Sequence, residues 1–248
     1  SCVYIINDIW DAQKDRQHPK KKNRPIASGA VSPATAGWIA GVLFVAGFGI
    51  AVAFVAGAPE EGWPFAAATL MGVYFLMNLA YSAGLKHVVI LDVFIIALGF
   101  MLRILVGTVG IGIAPSHWLL FCGLMITLFL GFSKRRAELY LAADGGGTRK
   151  VLEHYTPELL NQMTGITVAG VIMSYALYTM DPRTIQIHRT EDLIFTVPFV
   201  VYAIFRYLYL LHMRQGGEDT ARDMVRDPHI IVTVLLWAAT TFWLIGWA

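Results

Sequence analysis

Cysteine is nearly missing from this chain: Cys2 and Cys122 are the only two in 248 residues, and both sit among apolar neighbours. A disulfide framework or a cysteine-based zinc site has no material here, and both thiols read as small core residues. Charge is also scarce, at 15% of residues against 56% apolar, and the apolar residues come in long blocks instead of alternating with polar ones. That pattern excludes a soluble globular domain and marks a polytopic membrane protein. No repeat of fixed period is evident, and the connections between blocks are too short for a separate soluble domain. The longest connection, Ser133 to Gln162, carries Gly145, Gly146 and Gly147 before Thr148-Arg149-Lys150, without the spacing of a Walker phosphate loop, and reads as a turn. His18, His154, His188 and His229 lack partners at metal-ligand spacing and receive no role.

Seven blocks are long enough to cross a bilayer: Ala34 to Ala56, Pro64 to Gly84, Val89 to Ile113, His117 to Phe132, Met163 to Thr179, Asp192 to Leu211, and His229 to Trp247. Cys2 to Ile6 adds the end of another span. It is too short to cross alone, so an upstream part of that helix is expected to lie outside this sequence. The whole of 1–248 is expected to form one all-α transmembrane domain. Lys and Arg alternate sharply between the two sets of loops. One set holds Lys14 through Arg24, Lys86, Lys134 to Arg136, Arg149, Lys150, Arg214, Arg222 and Arg226, while the other holds Arg183 and Arg189. The positive-inside rule turns the basic set to the cytoplasm, with Trp63, Trp118 and Trp247 at the opposite ends of spans. Between Glu153 and Gln162 the reading places a short interfacial helix, with Thr156 as cap and Pro157 at its first position. Gly37 and Gly41 suggest close helix packing.

Asn7-Asp8-Ile9-Trp10-Asp11-Ala12-Gln13-Lys14-Asp15 packs an amide and three carboxylates directly after an apolar stretch. On a helix Asp8, Asp11 and Asp15 fall within an arc of roughly 60°, with Asn7 beside Asp11. Like charges on one face repel, so a cation belongs there, and hard oxygen ligands suit Mg²⁺, which fills its remaining positions with water and substrate phosphates. Lys14, Arg16, Lys20, Lys21, Lys22 and Arg24 follow at once. Carboxylates for a metal followed by a basic run point to a metal-bound pyrophosphate.

Charges inside spans should face the bundle interior or a wet cavity. Asp92 and Arg103, eleven residues apart, return to nearly one face. Asp92 lies near the cytoplasmic end beside Lys86 and His87. Arg103 lies deeper, where it either holds an acidic group in a cavity or pairs with another helix. Asn78, Tyr81 and Ser82 share a face of the preceding span, so Tyr81 and Lys86 bracket the turn joining the two helices. Arg206, with Tyr202 and Tyr209 nearby, reads as snorkelling or structural. Ser133-Lys134-Arg135-Arg136-Ala137-Glu138-Leu139 closes its span with three consecutive cations, of which at most two can address one ligand. They either anchor to anionic headgroups or accept a lipid phosphate.

These pieces resemble the UbiA superfamily of intramembrane prenyltransferases, whose first motif, Asn-Asp-x-x-Asp-x-x-x-Asp, is matched position for position by Asn7, Asp8, Asp11 and Asp15. The continuation His18-Pro19-Lys20-Lys21-Lys22-Asn23-Arg24-Pro25-Ile26-Ala27-Ser28-Gly29 is also typical. Members that prenylate aromatic rings carry a second Asp-rich motif in a later loop. Here the corresponding segment is the basic Ser133 to Leu139, with Asp144 alone. That departure, with Tyr81-Ser82-x-x-Leu85-Lys86-His87 leading to Asp92, Tyr155 to Leu160, and Phe205-Arg206-Tyr207-Leu208-Tyr209 before Asp227-Pro228, is similar to the branch that moves phosphoribose onto decaprenyl phosphate.

The resemblance implies a bundle of nine spans, the first and most of the second lying outside this sequence, in a bacterial plasma membrane with its site facing the cytoplasm. It implies Mg²⁺ on Asn7, Asp8, Asp11 and Asp15. It implies donor phosphates of 5-phosphoribosyl-1-pyrophosphate on Lys20, Lys22, Arg24 and Lys86, and a polyprenyl phosphate near Lys134, Arg135 and Arg103, with Tyr81 and Asp92 also in the substrate site. The product would feed cell-wall arabinan. No nucleic-acid partner is expected, and Gly-rich helix faces are compatible with a homo-oligomer. Two alternatives stand beside this: transfer of an isoprenoid from its pyrophosphate to an aromatic acceptor, and a transporter with Asp92 and Arg103 lining its path.

Overall fold

Long apolar blocks bounded by glycine, proline and charge become helices, because a backbone with no water to bond must satisfy itself internally. The computed structural model describes residues 2–17, 21–56, 66–110, 115–143, 150–213 and 224–247. Among them there is no strand, and seven helical segments are long and apolar enough to cross a membrane. The chain falls into two units, Ser1–Ala114 and Pro115–Ala248.

The first unit contains α1 (Cys2–Arg16), α2 (Pro33–Ala56), α3 (Ala66–Ala83) and α4 (Leu91–Gly110). Helix α1 packs on α2 and α3, and α3 packs along α4. One side of α1 is apolar: Ala12 is buried with Ile26 and Ala36, and Ile5, Ile9 and Val31 pack around them. The acidic residues occupy the neighbouring face of the same helix, about 100° round the axis. Phe44 of α2 meets Phe75 of α3 with ring centroids 4.4 Å apart.

The second unit contains α5 (His117–Ala143), α6 (Pro157–Met180), the short α7 (Pro182–His188), α8 (Val197–Met213) and α9 (Pro228–Gly246). Helix α5 lies along α6, and α8 packs on both α6 and α9. Its core joins Phe129, Val168, Tyr207, Leu210, Leu211 and Ile230, with Phe129 edge-on to Tyr207 at 5.5 Å. Lipid is as apolar as leucine, so shape and close approach hold such helices together. Gly170 shows the closeness: a Cβ there would meet the Met125 sulfur at 2.7 Å. A polar node adds to this, Trp237 Nε1 donating to the Tyr175 hydroxyl at 2.8 Å, which shares a hydrogen bond of 2.8 Å with Thr196.

The structure corrects three local expectations. Thr156 does cap a helix, accepting from the Leu159 amide at 3.2 Å, with Pro157 at the first position. That helix is not a short interfacial one, however: nothing after Pro157 breaks it, and it runs on as the span α6 to Met180. Helix α5 likewise continues past Phe132 to Ala143, so Lys134, Arg135 and Arg136 lie inside a helix and not at its end. Among the described residues, Gly37 and Gly41 face no neighbouring helix. A Cβ at either would meet nothing within 4 Å, and both line an open apolar groove with Trp38.

Candidate metal and phosphate site

The loop after α1 folds back over the acidic face. Arg16 Nε donates to the Ala27 carbonyl at 3.1 Å, the Val31 amide to the Pro25 carbonyl at 3.0 Å, and Ile26 and Ala27 are buried. Gly29 closes the turn at φ 83°, a left-handed conformation that costs a glycine little. Arg24 is thereby carried back to α1, where its Nη1 donates to Asp8 Oδ1 and Asp15 Oδ2, each at 2.8 Å. One cationic nitrogen thus stands between carboxylates seven residues apart.

Asp11, between them on the helix, receives Lys86 Nζ at 2.6 Å. Lys86 belongs to a 3₁₀ turn, Leu85–His87, that joins α3 to α4. The junction is strained at Ile90, a β-branched residue held at φ 69°. Such a conformation costs about 1–3 kcal/mol and persists where its surroundings over-determine it. Asn7 Oδ1 accepts from the Ser82 hydroxyl at 3.2 Å, a second tie between α1 and the end of α3.

Every member of the amino-terminal motif therefore has a partner from a distant segment. The Asp8 carboxyl is held above its ordinary value of 3.8, first because burial penalises its charge and then because Asp15 and Asp11 repel it, with Arg24 opposing. Asp15 is buried, whereas Asp8 and Asp11 keep about a third and a fifth of their side chains exposed.

Lys22 is exposed on the 3₁₀ turn Lys21–Asn23, and Tyr81 is half-buried in the last turn of α3. Lys20 and His18 lie outside the described residues, as do Gly145 to Gly147 and Asp144. Asp92 and Arg103, expected on one face, differ in environment: Asp92 is fully buried at the first turn of α4, and Arg103 is exposed. Arg103 donates from Nε to the Tyr74 hydroxyl at 3.2 Å and from Nη2 to those of Tyr4, at 2.8 Å, and Tyr74. Of the two readings left open for it, pairing with another helix is what the described residues show, through the hydroxyls of Tyr74 on α3 and Tyr4 on α1.

In the second unit the basic triplet divides. Arg136 is buried, donating to Asn161 Oδ1 at 2.8 Å and to the Leu211 carbonyl at 2.9 Å, with its guanidinium over the Tyr140 ring. Arg135 is also buried and pairs with Glu138 at 2.8 Å. Lys134 alone of the three is exposed. Arg206 grips Asp227, the cap of α9, through Nε at 3.1 Å and Nη2 at 2.8 Å, and this holds the Asp227 carboxyl below 3.8.

Among the described residues, no three His, Cys, Asp or Glu side chains close around a point. The donor chemistry nevertheless fits a divalent ion, since carboxylate oxygens of Asp8 and Asp15 already share one cation. The match to known proteins agrees with the motif: residues 1–224 fit the model of the UbiA prenyltransferase family. The chain belongs to that family.

Among curated relatives, the decaprenyl-phosphate phosphoribosyltransferase of Corynebacterium glutamicum is 35% identical over 242 residues, 96% of this chain and 69% of that protein. The enzymes of the same name from Mycolicibacterium smegmatis and Mycobacterium tuberculosis are 34% and 33% identical, over 97% of this chain and 74% and 76% of theirs. In fold, this UbiA family member is similar to a UbiA homolog from Archaeoglobus fulgidus. The form bound to GPP and Mg²⁺ aligns with a TM-score of 0.65 at 18% identity, and the form bound to DMAPP and Mg²⁺ with 0.67 at 17%. Each alignment covers 99% of this chain and 83% of that structure. The protein is thus a multi-pass membrane transferase of the UbiA type.

Proposed function

We propose that this enzyme transfers the 5-phosphoribosyl group from 5-phosphoribosyl-1-pyrophosphate to a polyprenyl phosphate, decaprenyl phosphate in its named relatives, and releases pyrophosphate. The observation that carries the reading is the 33–35% identity to decaprenyl-phosphate phosphoribosyltransferases along nearly the whole chain. The site chemistry supports it, because the acidic face of α1 is flanked by cations and the basic segment of α5 replaces a second acidic motif.

Asp8, Asp11 and Asp15, with Asn7 beside them, would hold Mg²⁺, which when bound neutralises charge on the departing pyrophosphate. Lys20, Lys22, Arg24 and Lys86 bind the donor phosphates. Arg24 and Lys86 rest on the carboxylates until the donor offers them a stronger anion. Tyr81 borders this space, while Asp92, being buried, acts by holding the start of α4 in place. Lys134, Arg135 and Arg103 serve the acceptor phosphate: Lys134 directly and Arg135 from its pair with Glu138.

An oxygen of the acceptor phosphate attacks ribose C1. The C1–O bond to pyrophosphate breaks, and its electron pair leaves with the pyrophosphate. No general base is required, because a phosphate monoester is already ionised near neutral pH. The excess of Lys and Arg in one set of loops supports a site at the cytoplasmic face of a bacterial plasma membrane, where the product would enter cell-wall arabinan synthesis. The polyprenyl tail stays in the bilayer, and a homo-oligomer is compatible with this arrangement.

The test is incubation of the purified protein with labelled phosphoribosyl pyrophosphate and polyprenyl phosphate, in parallel with geranyl pyrophosphate and 4-hydroxybenzoate. Pyrophosphate release with the first pair only, abolished by excess chelator, is expected. Release with the second pair only establishes the prenyl-transfer alternative, and full-speed release in chelator rejects the metal.

A further inference from the structure

Arg103 sits past the middle of the span Leu91–Gly110, where an unneutralised charge is costly. Its contacts among the described residues are all neutral: the hydroxyls of Tyr4 and Tyr74, and the rings of Tyr4, Tyr74 and Phe100 at 5.6, 5.1 and 5.2 Å from the guanidinium carbon. The three rings and two phenol oxygens, drawn from α1, α3 and α4, fix the plane of the fork through Nε and Nη2. They do not cancel its charge. Arg103 remains exposed, and Nη1 donates to none of the described residues.

Tyr4 also ties this cation to the metal motif. Tyr4, Asp8, Asp11 and Asp15 follow one another at i, i+4, i+7 and i+11, so they form a single stripe along α1. Arg103 therefore stands at the apolar end of the acidic stripe, about one helical turn beyond Asp8, or roughly 6 Å along the axis. A cation in that position, aligned with carboxylates for a diphosphate-bound metal but displaced toward the bilayer, suits an anion that arrives from the membrane.

We infer that Tyr4 and Tyr74 are positioning residues that hold Arg103 as the subsite for the phosphate group of a lipid phosphate. The identity of that lipid as the acceptor rests on the proposed function. Binding of the phosphate itself does not, and can be measured without turnover.

Equilibrium binding to the full-length protein in detergent uses three probes: a polyprenyl phosphate, the matching uncharged polyprenol, and phosphoribosyl pyrophosphate. Wild type is expected to prefer the lipid phosphate to the alcohol. Arg103→Gln removes that preference, and Arg103→Lys does not restore it, because an ammonium lacks the planar fork. Tyr4→Phe and Tyr74→Phe, which keep the rings, each weaken lipid-phosphate binding by about 3- to 10-fold, with polyprenol and donor affinity unchanged. If Arg103→Gln does not fold, the two phenylalanine variants decide.

Wild-type lipid-phosphate affinity in both phenylalanine variants overturns the inference. So does an equal loss for polyprenol, which signals a merely structural role, or a loss confined to the soluble donor. A protein that binds the lipid phosphate through Arg103 but transfers no phosphoribose leaves this inference standing and refutes the proposed function instead.

Discussion

The acidic stripe of α1 and the basic triplet of α5 are both short charge runs beside apolar helix, yet burial gives them opposite roles. On α1, Asp8 and Asp11 stay partly open, and their partners Arg24 and Lys86 come from loops. The Arg24–Asp8 pair, about a third open on each side, contributes little net stability and can yield to a stronger anion. On α5, Arg136 is buried, donating to Asn161 and the Leu211 carbonyl beneath the Tyr140 ring, and Arg135, itself buried, pairs with Glu138. Breaking those would strand buried polar groups. On the proposed reading, solvent access separates Asp8, Asp11 and Lys134, which can meet a ligand, from Arg136, which holds the frame.

Asp11→Asn tests the open, acidic side. The amide oxygen still accepts from Lys86, so the fold stands, but the negative charge in the middle of the stripe is gone. We expect turnover to fall by roughly 100- to 1,000-fold, comparable to deleting a principal electrostatic stabiliser, with an unchanged melting temperature. Undiminished turnover would remove Asp11 from the metal site.

Arg136→Met tests the opposite side. It leaves the buried Leu211 carbonyl without its donor, about 1–3 kcal/mol, while the exposed Asn161 amide turns to solvent and methionine keeps most of the apolar volume. The expected result is a clear drop in melting temperature, with the KM values of the remaining folded enzyme unaltered. A raised acceptor KM at unchanged stability would move Arg136 out of the frame and into the site.

All seven spans were legible because a bilayer demands about 20 apolar residues, and that length is read directly from a string. The stripe on α1 was legible for the same reason: helical periodicity puts Asp8, Asp11 and Asp15 on one face without any tertiary information. What periodicity does not carry is who meets whom across the chain. Arg24 bridging Asp8 and Asp15, Lys86 reaching Asp11, and Ser82 reaching Asn7 depend on how loops fold back. Tyr4 and Tyr74 gave no signal of their own beyond being tyrosines near a span, although Tyr4 at i−4 from Asp8 was the available hint. The division of Lys134, Arg135 and Arg136 was half visible, since three consecutive helical residues cannot face one ligand. Which of them faced inward depended on α6 and α8, helices far along the chain.

Lys134 is exposed beside two buried arginines, so Lys134→Ala strands no partner among the described residues and should leave the melting temperature where it is. Arg135→Ala, by contrast, leaves the Glu138 carboxylate without its guanidinium and should lower it. If Lys134 meets the acceptor phosphate, its loss raises the acceptor KM by about 10-fold, the scale of one charge-assisted contact, and leaves the donor KM alone. The ratio of variant to wild-type KM should also shrink as salt is added, because an exposed charge is screened within about 10 Å at 0.1 M ionic strength. A buried contact would not show that decline. An unchanged acceptor KM at low salt would leave Lys134 as a headgroup anchor and shift the acceptor phosphate onto Arg103 alone.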